Sequence, residues 1–369
     1  MRNPWFGFRN RLLASPLFQR RAAAFPLTRP IARQRARGLF DLVAGFVYSQ
    51  VLLASVRLNL FEILADGPQT VDMLAQRINL SPDATQRLLA AGVALQLFER
   101  CPQDHYGLGV LGAPMVGNQA LAAMIEHHSA LYADLADPVA LLRGQGQTAH
   151  LADYWPYASA DGTRPAGALQ GGQVAAYSEL MSASQPLVAH EILDAYPMSK
   201  HRCLLDVGGG DGTFLLQVAK RWPDLKLVLF DLPAVAQRGA ANFAAAGLAQ
   251  GASAIGGDFL SDALPEGADI ATLVRVVHDH DDARVLALLK AVRRALLPGA
   301  TLLIAEPMAD TPGARPMGDA YFGFYLLAMG RGQPRTPARL TELLQAAGFK
   351  RIRLLRTHMP LQTQVLLAQ

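Results

Sequence analysis

The sequence predicts a helical domain followed by an α/β domain with a doubly wound, Rossmann-like sheet. Three observations support this fold class. The chain has 369 residues, which is more than a single hydrophobic core usually serves. Apolar residues recur at helical spacing from Leu39 to about Tyr196. Beyond Tyr196, short apolar runs alternate with helical stretches, which is typical of a parallel sheet covered by helices.

A basic arm is expected over residues 1–38. Residues 1–40 contain nine arginines and no acidic residue, which leaves 25 basic and 30 acidic residues from Asp41 onward. The arm also carries aromatic side chains, among them Trp5, Phe6 and Phe8. Basic charge combined with apolar side chains suits a helix that lies on anionic lipid headgroups. The alternative is a solvated, partly helical arm that packs on its own body.

Cysteine content and the length of the apolar runs indicate the compartment. Cys101 and Cys203 are the only cysteines in the sequence, so we expect a reducing environment. The most apolar early run, Leu42–Val56, is shorter than the roughly 20 residues that a membrane-spanning helix needs. No signal peptide is recognisable. We therefore expect a soluble, cytoplasmic protein.

A helical, winged-helix-like domain is expected over residues 39–194. Thr70 and Ser81 are predicted to cap two successive helices, and the segment Tyr106–Gly112 would form the wing. This arrangement leaves open a winged-helix regulator that binds DNA and senses a small molecule. The candidate recognition helix after Ser81, however, carries only Arg87 as a basic residue. DNA binding usually needs several phosphate-neutralising cations, so we expect no nucleic acid partner.

The strongest local signal is a glycine loop in the α/β domain, which is expected over residues 195–369. A buried strand runs into Asp-Val-Gly-Gly-Gly-Asp-Gly at Asp206–Gly212, and a helix follows. Glycines such as Gly208 and Gly210 allow the backbone to approach a ligand closely, and the helix N-terminus favours an anionic group. The loop is therefore a candidate ligand site, although it could simply pack the strand on the helix.

Acidic residues follow the next two strand regions. Asp231 ends the second strand, where a carboxylate can accept hydroxyl protons of a ribose. Asp258 and Phe259 come after the third strand, where they could bind an adenine amino group and pack on its ring. A dinucleotide and S-adenosylmethionine would both fit these features. Thr213 stands where the dinucleotide motif has glycine, which argues against a dinucleotide.

A candidate general base follows the fourth strand. His278 and Glu306, which ends the next strand, would both lie at the carboxyl edge of the sheet, where such folds bind ligands. Histidine can take a hydroxyl proton near neutral pH, and a carboxylate can orient it. The run His278–Asp282 could also be a solvated turn that caps the next helix. A metal cluster is the third reading, but consecutive residues rarely converge on one ion, so no metal site is predicted.

Six motifs follow one another along the chain: DVGGGDG (206–212), FDLP (230–233), GGDF (256–259), VVHDHDD (276–282), LLPGATLLIAEP (296–307) and GQPRTPARLTELLQAAGF (332–349). In this order they resemble the motifs of small-molecule O-methyltransferases typified by plant caffeate and bacterial polyketide enzymes, from about Phe40 to the C-terminus. The resemblance implies S-adenosylmethionine as cofactor, a helical dimerisation domain and a homodimer. It also implies cofactor binding by Gly208, Asp231, Asp258 and Phe259, and His278 as the base.

Three positions depart from that family's pattern. His280 stands where the family has tryptophan, so the indole ring is lost. Val274 stands where plant members carry a lysine, and Arg275 is its neighbour. Pro334 replaces a second glutamate, which leaves Glu306 to orient the histidine by itself.

The arm resembles that of a narrower group, the carotenoid O-methyltransferases of purple bacteria, in the segments Phe8–Pro16 and Phe25–Pro30. This resemblance implies a tertiary hydroxyl on a membrane-embedded polyene as acceptor, and peripheral contact with the inner, photosynthetic membrane. A bacteriochlorophyll-type or phenolic acceptor is the alternative. The acceptor is expected between the domains, against the apolar residues Met124, Met181, Phe322, Phe324 and Met329.

Overall fold

The computed structural model describes residues 4–145, 150–151 and 185–369. The chain forms two compact units, Met1–Asn118 and Gln119–Gln369. This division falls earlier than the boundary expected at residues 194 and 195. The helix that follows Asn118 belongs to the second unit because two of its histidines hydrogen-bond tyrosines of that unit. The irregular loop expected at Pro156–Gly172 and the pocket candidate Met181 lie outside the described residues.

Three helices open the first unit: α1 Pro4–Ala14, α2 Pro16–Ala24 and α3 Arg29–Arg57. No residue of α1 or α2 is fully buried, and most are exposed, although Leu13, Phe18 and Ala22 are half-buried. Helix α3 is longer than the apolar run suggested. By length and composition alone it could cross a membrane. A mostly buried core helix passes the same test, but only 11% of the most apolar window of α3 is buried.

The rest of the first unit has the winged-helix arrangement that the sequence predicts. The side chains of Thr70 and Ser81 accept hydrogen bonds from the N–H groups of Met73 and Ala84, which confirms both caps. The elements are α4 Leu60–Ala65, β1 Gln69–Thr70, α5 Val71–Ile78, α6 Pro82–Ala94, β2 Phe98–Cys101 and β3 His105–Leu108. The antiparallel hairpin of β2 and β3 forms the wing, and β3 also pairs with β1.

The second unit contains a seven-stranded sheet. Its strands are β4 Cys203–Val207, β5 Lys226–Asp231, β6 Ala252–Gly256, β7 Ala268–Val274, β8 Leu296–Glu306, β9 Ile352–Leu355 and β10 Gln364–Ala368. The strand order is β6-β5-β4-β7-β8-β10-β9. Strands β4 to β8 pair in parallel, and β10 is antiparallel to both β8 and β9. The predicted doubly wound sheet is therefore confirmed.

Helices cover both faces of this sheet. Neighbouring residues of one strand point to opposite faces, so Leu205 packs in one core cluster and Leu204 in the other. The helices of this unit are α7 Gln119–Asp134, α8 Pro138–Leu142, α9 over 185–195, α10 Thr213–Arg221, α11 Pro233–Ala245, α12 Asp282–Ala295, α13 Phe322–Ala328 and α14 Pro337–Ala346. The cluster around Leu205 includes residues of α12 and α14, and the cluster around Leu204 includes residues of α9 and α10.

The strand order reverses between β4 and β7. In open α/β sheets the ligand crevice lies at such a switch point, beyond the carboxyl ends of the strands. The glycine loop follows β4, and the turn that carries His278 follows β7. The topology therefore brings the two candidate sites to one edge of the sheet.

Candidate active site

The loop after β4 depends on glycine at several positions. Gly208, Gly210 and Gly212 have φ values of +69°, +64° and +81°, which side-chain-bearing residues rarely adopt. A Cβ atom on Gly208 would lie 2.8 Å from a methyl group of Val276, so a side chain would collide there. The corresponding position at Gly210 has open space within 4 Å. A ligand can therefore approach the backbone closely at Gly210.

Asp231 at the end of β5 fastens this loop. Its Oδ2 accepts a hydrogen bond from the N–H of Gly210 at 2.8 Å, and its Oδ1 accepts one from the N–H of Leu232 at 2.7 Å. Burial raises the pKa of Asp231 to about 6, although these two N–H donors lower it. The remaining lone pairs of the carboxylate can accept ribose hydroxyls, as the sequence suggests.

Asp206, near the end of β4, is a second buried acid beside the loop, and its role cannot be predicted from the sequence. Thr272 donates a hydrogen bond to its Oδ1 at 2.6 Å, while Oδ2 is buried and has no hydrogen-bond partner within the described part of the chain. Burial raises the pKa of Asp206 to about 7. A Cβ on Gly209 would lie 2.3 Å from this Oδ2, so the carboxylate packs directly beneath the loop. An orphaned acceptor in this position fits a polar ligand group bound at the loop.

Asp258 and Phe259 lie at the end of the neighbouring strand. The N–H of Gly257 donates to the carbonyl of Asp231 at 2.9 Å, which joins the two motifs. The carboxylate of Asp258 accepts from the N–H of Leu260 at 2.9 Å. The half-buried ring of Phe259 meets His280 edge-on, with ring centroids 5.3 Å apart. His280, which stands in place of the family's tryptophan, thus still supplies an aromatic ring beside Phe259.

His278 and Glu306 are brought together as the sequence predicts. His278 lies in the short turn Val277–Asp279 and is buried, and its Nδ1 is hydrogen-bonded to Oε2 of Glu306. The other oxygen of Glu306 accepts from the N–H groups of Val276 and Val277 at 3.0 and 2.7 Å. Because a carboxylate only accepts hydrogen bonds, Nδ1 carries a proton and Nε2 is the nitrogen available for chemistry.

A second carboxylate approaches His278 from within its own turn. Oδ1 of Asp279 lies 3.1 Å from Nε2. Burial alone would lower the pKa of His278, but the negative charges of Asp279 and Glu306 outweigh burial and raise it to about 10. The sequence reading assigns no role to Asp279. Its effect depends on how the turn directs its carboxylate, which spacing does not reveal.

The remaining acids of the His278–Asp282 run have structural partners. Asp281 caps α12 by accepting from the N–H of Arg284 at 2.9 Å. Asp282 forms ion pairs with Arg335 and Arg339 at 2.7 and 2.6 Å. Asp281 therefore caps the helix, which is the alternative role considered for this run. His278 instead faces the carboxylates of Glu306 and Asp279.

The apolar pocket candidates differ in their surroundings. The ring of Phe322 lies edge-on to His278, with centroids 6.0 Å apart. Met329 is part of a hydrophobic core cluster, so it serves packing. Phe324 is exposed and Met124 is half-buried. Among the described candidates, Phe322 is therefore the one placed against the candidate base.

Comparisons with known proteins identify the family. The model of the O-methyltransferase domain matches residues 132–350, and that of the O-methyltransferase dimerisation domain matches residues 40–124. Demethylspheroidene O-methyltransferase of Cereibacter sphaeroides is 44% identical over 346 residues, which cover 93% of this chain and 89% of that protein. The enzyme of the same name from Rhodobacter capsulatus is 40% identical over 93% of this chain and 84% of its own length.

A solved structure agrees with the fold. Human N-acetylserotonin methyltransferase, determined in complex with SAM, has a TM-score of 0.70 and 25% identity, and the match covers 91% of this chain and 97% of that one. Its similarity extends over the helical unit and the sheet together. With both family models matched in order along one chain, this protein belongs to the O-methyltransferase family, with an N-terminal dimerisation domain and a C-terminal methyltransferase domain.

Proposed function

We propose that this protein transfers the methyl group of S-adenosylmethionine to the tertiary hydroxyl of a carotenoid. The observation that carries the reaction type is the buried His278–Glu306 pair, which lies at the same sheet edge as the Asp231-fastened glycine loop. The similarity to the two demethylspheroidene O-methyltransferases supports the acceptor class.

The residues around the loop fit this cofactor. S-adenosylmethionine supplies an electrophilic methyl group on its sulfonium. Asp231 would accept the ribose hydroxyls, and the backbone at Gly208 and Gly210 would lie against the amino-acid portion. Asp258 and Phe259, joined to Asp231 through Gly257, would bind the adenine.

His278 would act as the general base. Its Nε2 would take the hydroxyl proton as the oxygen is methylated, since a tertiary alcohol is too weak an acid to ionise beforehand. Glu306 would hold the ring and stabilise the imidazolium that forms. The carboxylate of Asp279 lies against Nε2, so the acceptor hydroxyl must displace it. Alignment of the hydroxyl at this nitrogen would supply much of the remaining acceleration.

Aromatic side chains beside His278 favour an apolar acceptor. Tyr321, next to Phe322, is hydrogen-bonded to His128 at 2.6 Å, and Tyr325 to His127 at 2.9 Å. Burial lowers the pKa of His127 to about 4, and the neighbouring His128 lowers it further. Burial also lowers the pKa of His128, which favours a neutral imidazole there too. The polar atoms of these pairs bind one another, so the ring of Phe322 would offer an apolar surface beside the base.

We further propose that the basic arm contacts the membrane in which such a polyene would lie. Trp5 is 61% exposed, and Phe8 and Leu17 are also exposed, next to exposed arginines such as Arg20 and Arg21. Apolar side chains interspersed with basic ones are typical of helices that lie in the interface of anionic membranes. The protein would then be cytoplasmic and peripheral to the inner membrane.

The acceptor is tested by incubating the protein with methyl-labelled S-adenosylmethionine and a hydroxylated carotenoid in detergent micelles, with a phenol such as caffeate in a parallel reaction. We expect the label in a carotenoid methyl ether. Labelling of the phenol alone would contradict the acceptor while leaving the reaction type intact. Absence of labelling in both, with cofactor bound, would contradict the proposed function.

The membrane contact is tested by flotation with vesicles. We expect the protein to float with vesicles that contain anionic lipid and to remain behind with purely zwitterionic ones. The double variant Arg20→Gln, Arg21→Gln should bind more weakly. Arg351→Gln, Arg353→Gln removes the same charge from exposed positions of the other unit and is the matched control. Equal binding by both double variants would contradict a role for the arm.

A further inference from the structure

Arg335 is a buried arginine that lies against the turn carrying His278. Its side chain is among the least exposed of the charged residues that the structure describes, at 4% for the whole residue. Nη1 donates a hydrogen bond to the carbonyl of Val277 at 2.9 Å, and Nη2 donates one to the carbonyl of His280 at 2.6 Å. Nε donates to Oδ1 of Asp282 at 2.7 Å. One guanidinium therefore binds the backbone on both sides of His278.

The residues just before Arg335 add to this grip. The N–H of Gln333 donates to the carbonyl of His278 itself at 2.9 Å. A Cβ on Gly332 would lie 2.1 Å from that same carbonyl oxygen, so the two backbones approach more closely than any side chain allows. The segment 332–335 thus satisfies the carbonyls of residues 277, 278 and 280.

These carbonyls need such donors. The turn is a single short 3-10 turn whose next helix begins only at Asp282, so it offers few internal hydrogen bonds. Buried carbonyls without partners are costly, and the planar fork of arginine reaches two of them at once. A lysine, with one terminal nitrogen, cannot reproduce that geometry. The orientation of the turn therefore depends on Arg335.

We propose that Arg335 is a positioning residue that holds the His278 turn in the orientation at which the imidazole meets Glu306 and the acceptor hydroxyl. This inference rests on the proposed role of His278 as the base. Arg335 acts through the backbone of the turn, and Asp282 in turn orients its guanidinium. A displacement of about 1 Å at a reacting group can cost on the order of 10²-fold in rate, so a loosened turn has a measurable consequence.

The groups that face His278 determine what a displaced turn would do to its titration. They are Glu306 from β8 and, from the turn itself, Asp279 and His280, with the guanidinium of Arg335 on the other side of the turn. The backbone of Glu306 does not depend on the turn, because Glu306 ends β8, which pairs with β10 and β7. If the turn shifts, the imidazole moves away from Glu306 and loses stabilisation of its charged form. Its pKa should fall.

The test compares Arg335→Lys and Arg335→Gln with Arg339→Gln. Arg339 pairs the other oxygen of Asp282 at 2.6 Å but is exposed and sits on α14, so it is the matched control. We expect both Arg335 variants to lose roughly 10- to 100-fold in kcat, with the dissociation constant for S-adenosylmethionine unchanged. In Arg335→Lys, which keeps the positive charge beside the turn, we also expect the pH profile of kcat/KM to shift to lower pH. Arg339→Gln should keep the kcat and profile of the native protein.

A purely structural role predicts a different result. It would lower the melting temperature of the Arg335 variants while leaving kcat and the pH profile of the folded protein unchanged, and that outcome would overturn the proposal. Arg335→Lys carries the test if Arg335→Gln does not fold, because it keeps the charge beside Asp282. Turnover by His278→Ala would instead overturn the base assignment. If His278→Ala were inactive while Arg335→Lys behaved like the native protein, the positioning role of Arg335 would be wrong and the base role of His278 would stand.

Discussion

The Nε2 atom of His278 lies 3.1 Å from Oδ1 of Asp279. This is the nitrogen that would accept the substrate proton, because Nδ1 is hydrogen-bonded to Glu306. The two carboxylates raise the pKa of His278 to about 10, so the imidazole is protonated at neutral pH before an acceptor binds. A general base must be neutral to act. The pH dependence of the reaction therefore depends on Asp279.

Asp279→Asn should shift the pH profile to lower pH. Removing a negative charge beside the imidazolium destabilises the charged form, so the pKa of His278 falls and the neutral base becomes available at lower pH. In the native protein kcat/KM should rise with pH up to about pH 10, because kcat/KM reports groups of the free enzyme. Rate measurements across this range in both proteins check the shift. Coincident profiles would show that Asp279 does not control the base.

His278→Ala should abolish most methylation while leaving S-adenosylmethionine affinity nearly unchanged, because the imidazole acts on the acceptor. General-base catalysis typically contributes about 10²–10⁴-fold, and we expect a loss of at least that size in kcat. Turnover assays together with calorimetry separate the two effects. Retention of most turnover would rule out the base assignment. Loss of cofactor affinity as well would place His278 in the cofactor site.

Glu306→Gln should reduce kcat less than loss of the base does. The variant keeps the imidazole, but the amide carries no charge to stabilise the imidazolium and can turn an N–H group toward Nδ1. Since the family's second glutamate is Pro334 here, the described residues around His278 leave only Asp279 as a further carboxylate contact. Activity equal to that of the native protein would show that Glu306 only supports the turn.

Asp231→Ala should weaken S-adenosylmethionine binding without unfolding the protein. The carboxylate must be ionised to accept hydrogen bonds from both ribose hydroxyls, and burial raises its pKa to about 6. Affinity in the native protein should therefore fall as the pH is lowered through about 6. Asp231→Asn should bind weakly and lack this step. Calorimetry at several pH values checks it, and a step that persists in Asp231→Asn would assign the titration to Asp206, whose pKa burial raises to about 7.

The dimer interface is expected on the middle of α3, around Leu42 and Phe46. Within the apolar stretch from Leu42 to Leu64, Leu60 and Leu64 pack inside the unit and are already buried. By contrast, Leu42 is 82% and Phe46 69% exposed, and their side chains need another surface to cover them. We expect light scattering to show a homodimer for the native protein and a monomer for the double variant Leu42→Glu, Phe46→Glu. Leu297→Glu, at an exposed apolar position of the other unit, is the control. A double variant that remains dimeric would exclude this face.

The strands and motifs can be predicted from the sequence because their signals are local. Buried strands appear as short apolar runs, and Gly208 and Gly210 are recognisable because positive φ values favour glycine. The pairing of His278 with Glu306 could be anticipated because both follow neighbouring parallel strands and so reach the same sheet edge. The boundary between the two units could not be anticipated, because it depends on contacts such as the hydrogen bond between His127 and Tyr325, which lies 198 residues further along the chain.

The sequence by itself determined the fold class, the order of the motifs and the edge of the sheet at which chemistry occurs, since periodicity, glycine and strand order are properties of the chain. Only the tertiary structure decided the state of the base. Whether Asp279 faces Nε2 depends on the conformation of one short turn, and that turn is held by Arg335 from a distant segment. Electrostatic interactions change steeply over a few ångströms, so spacing along the chain cannot specify them.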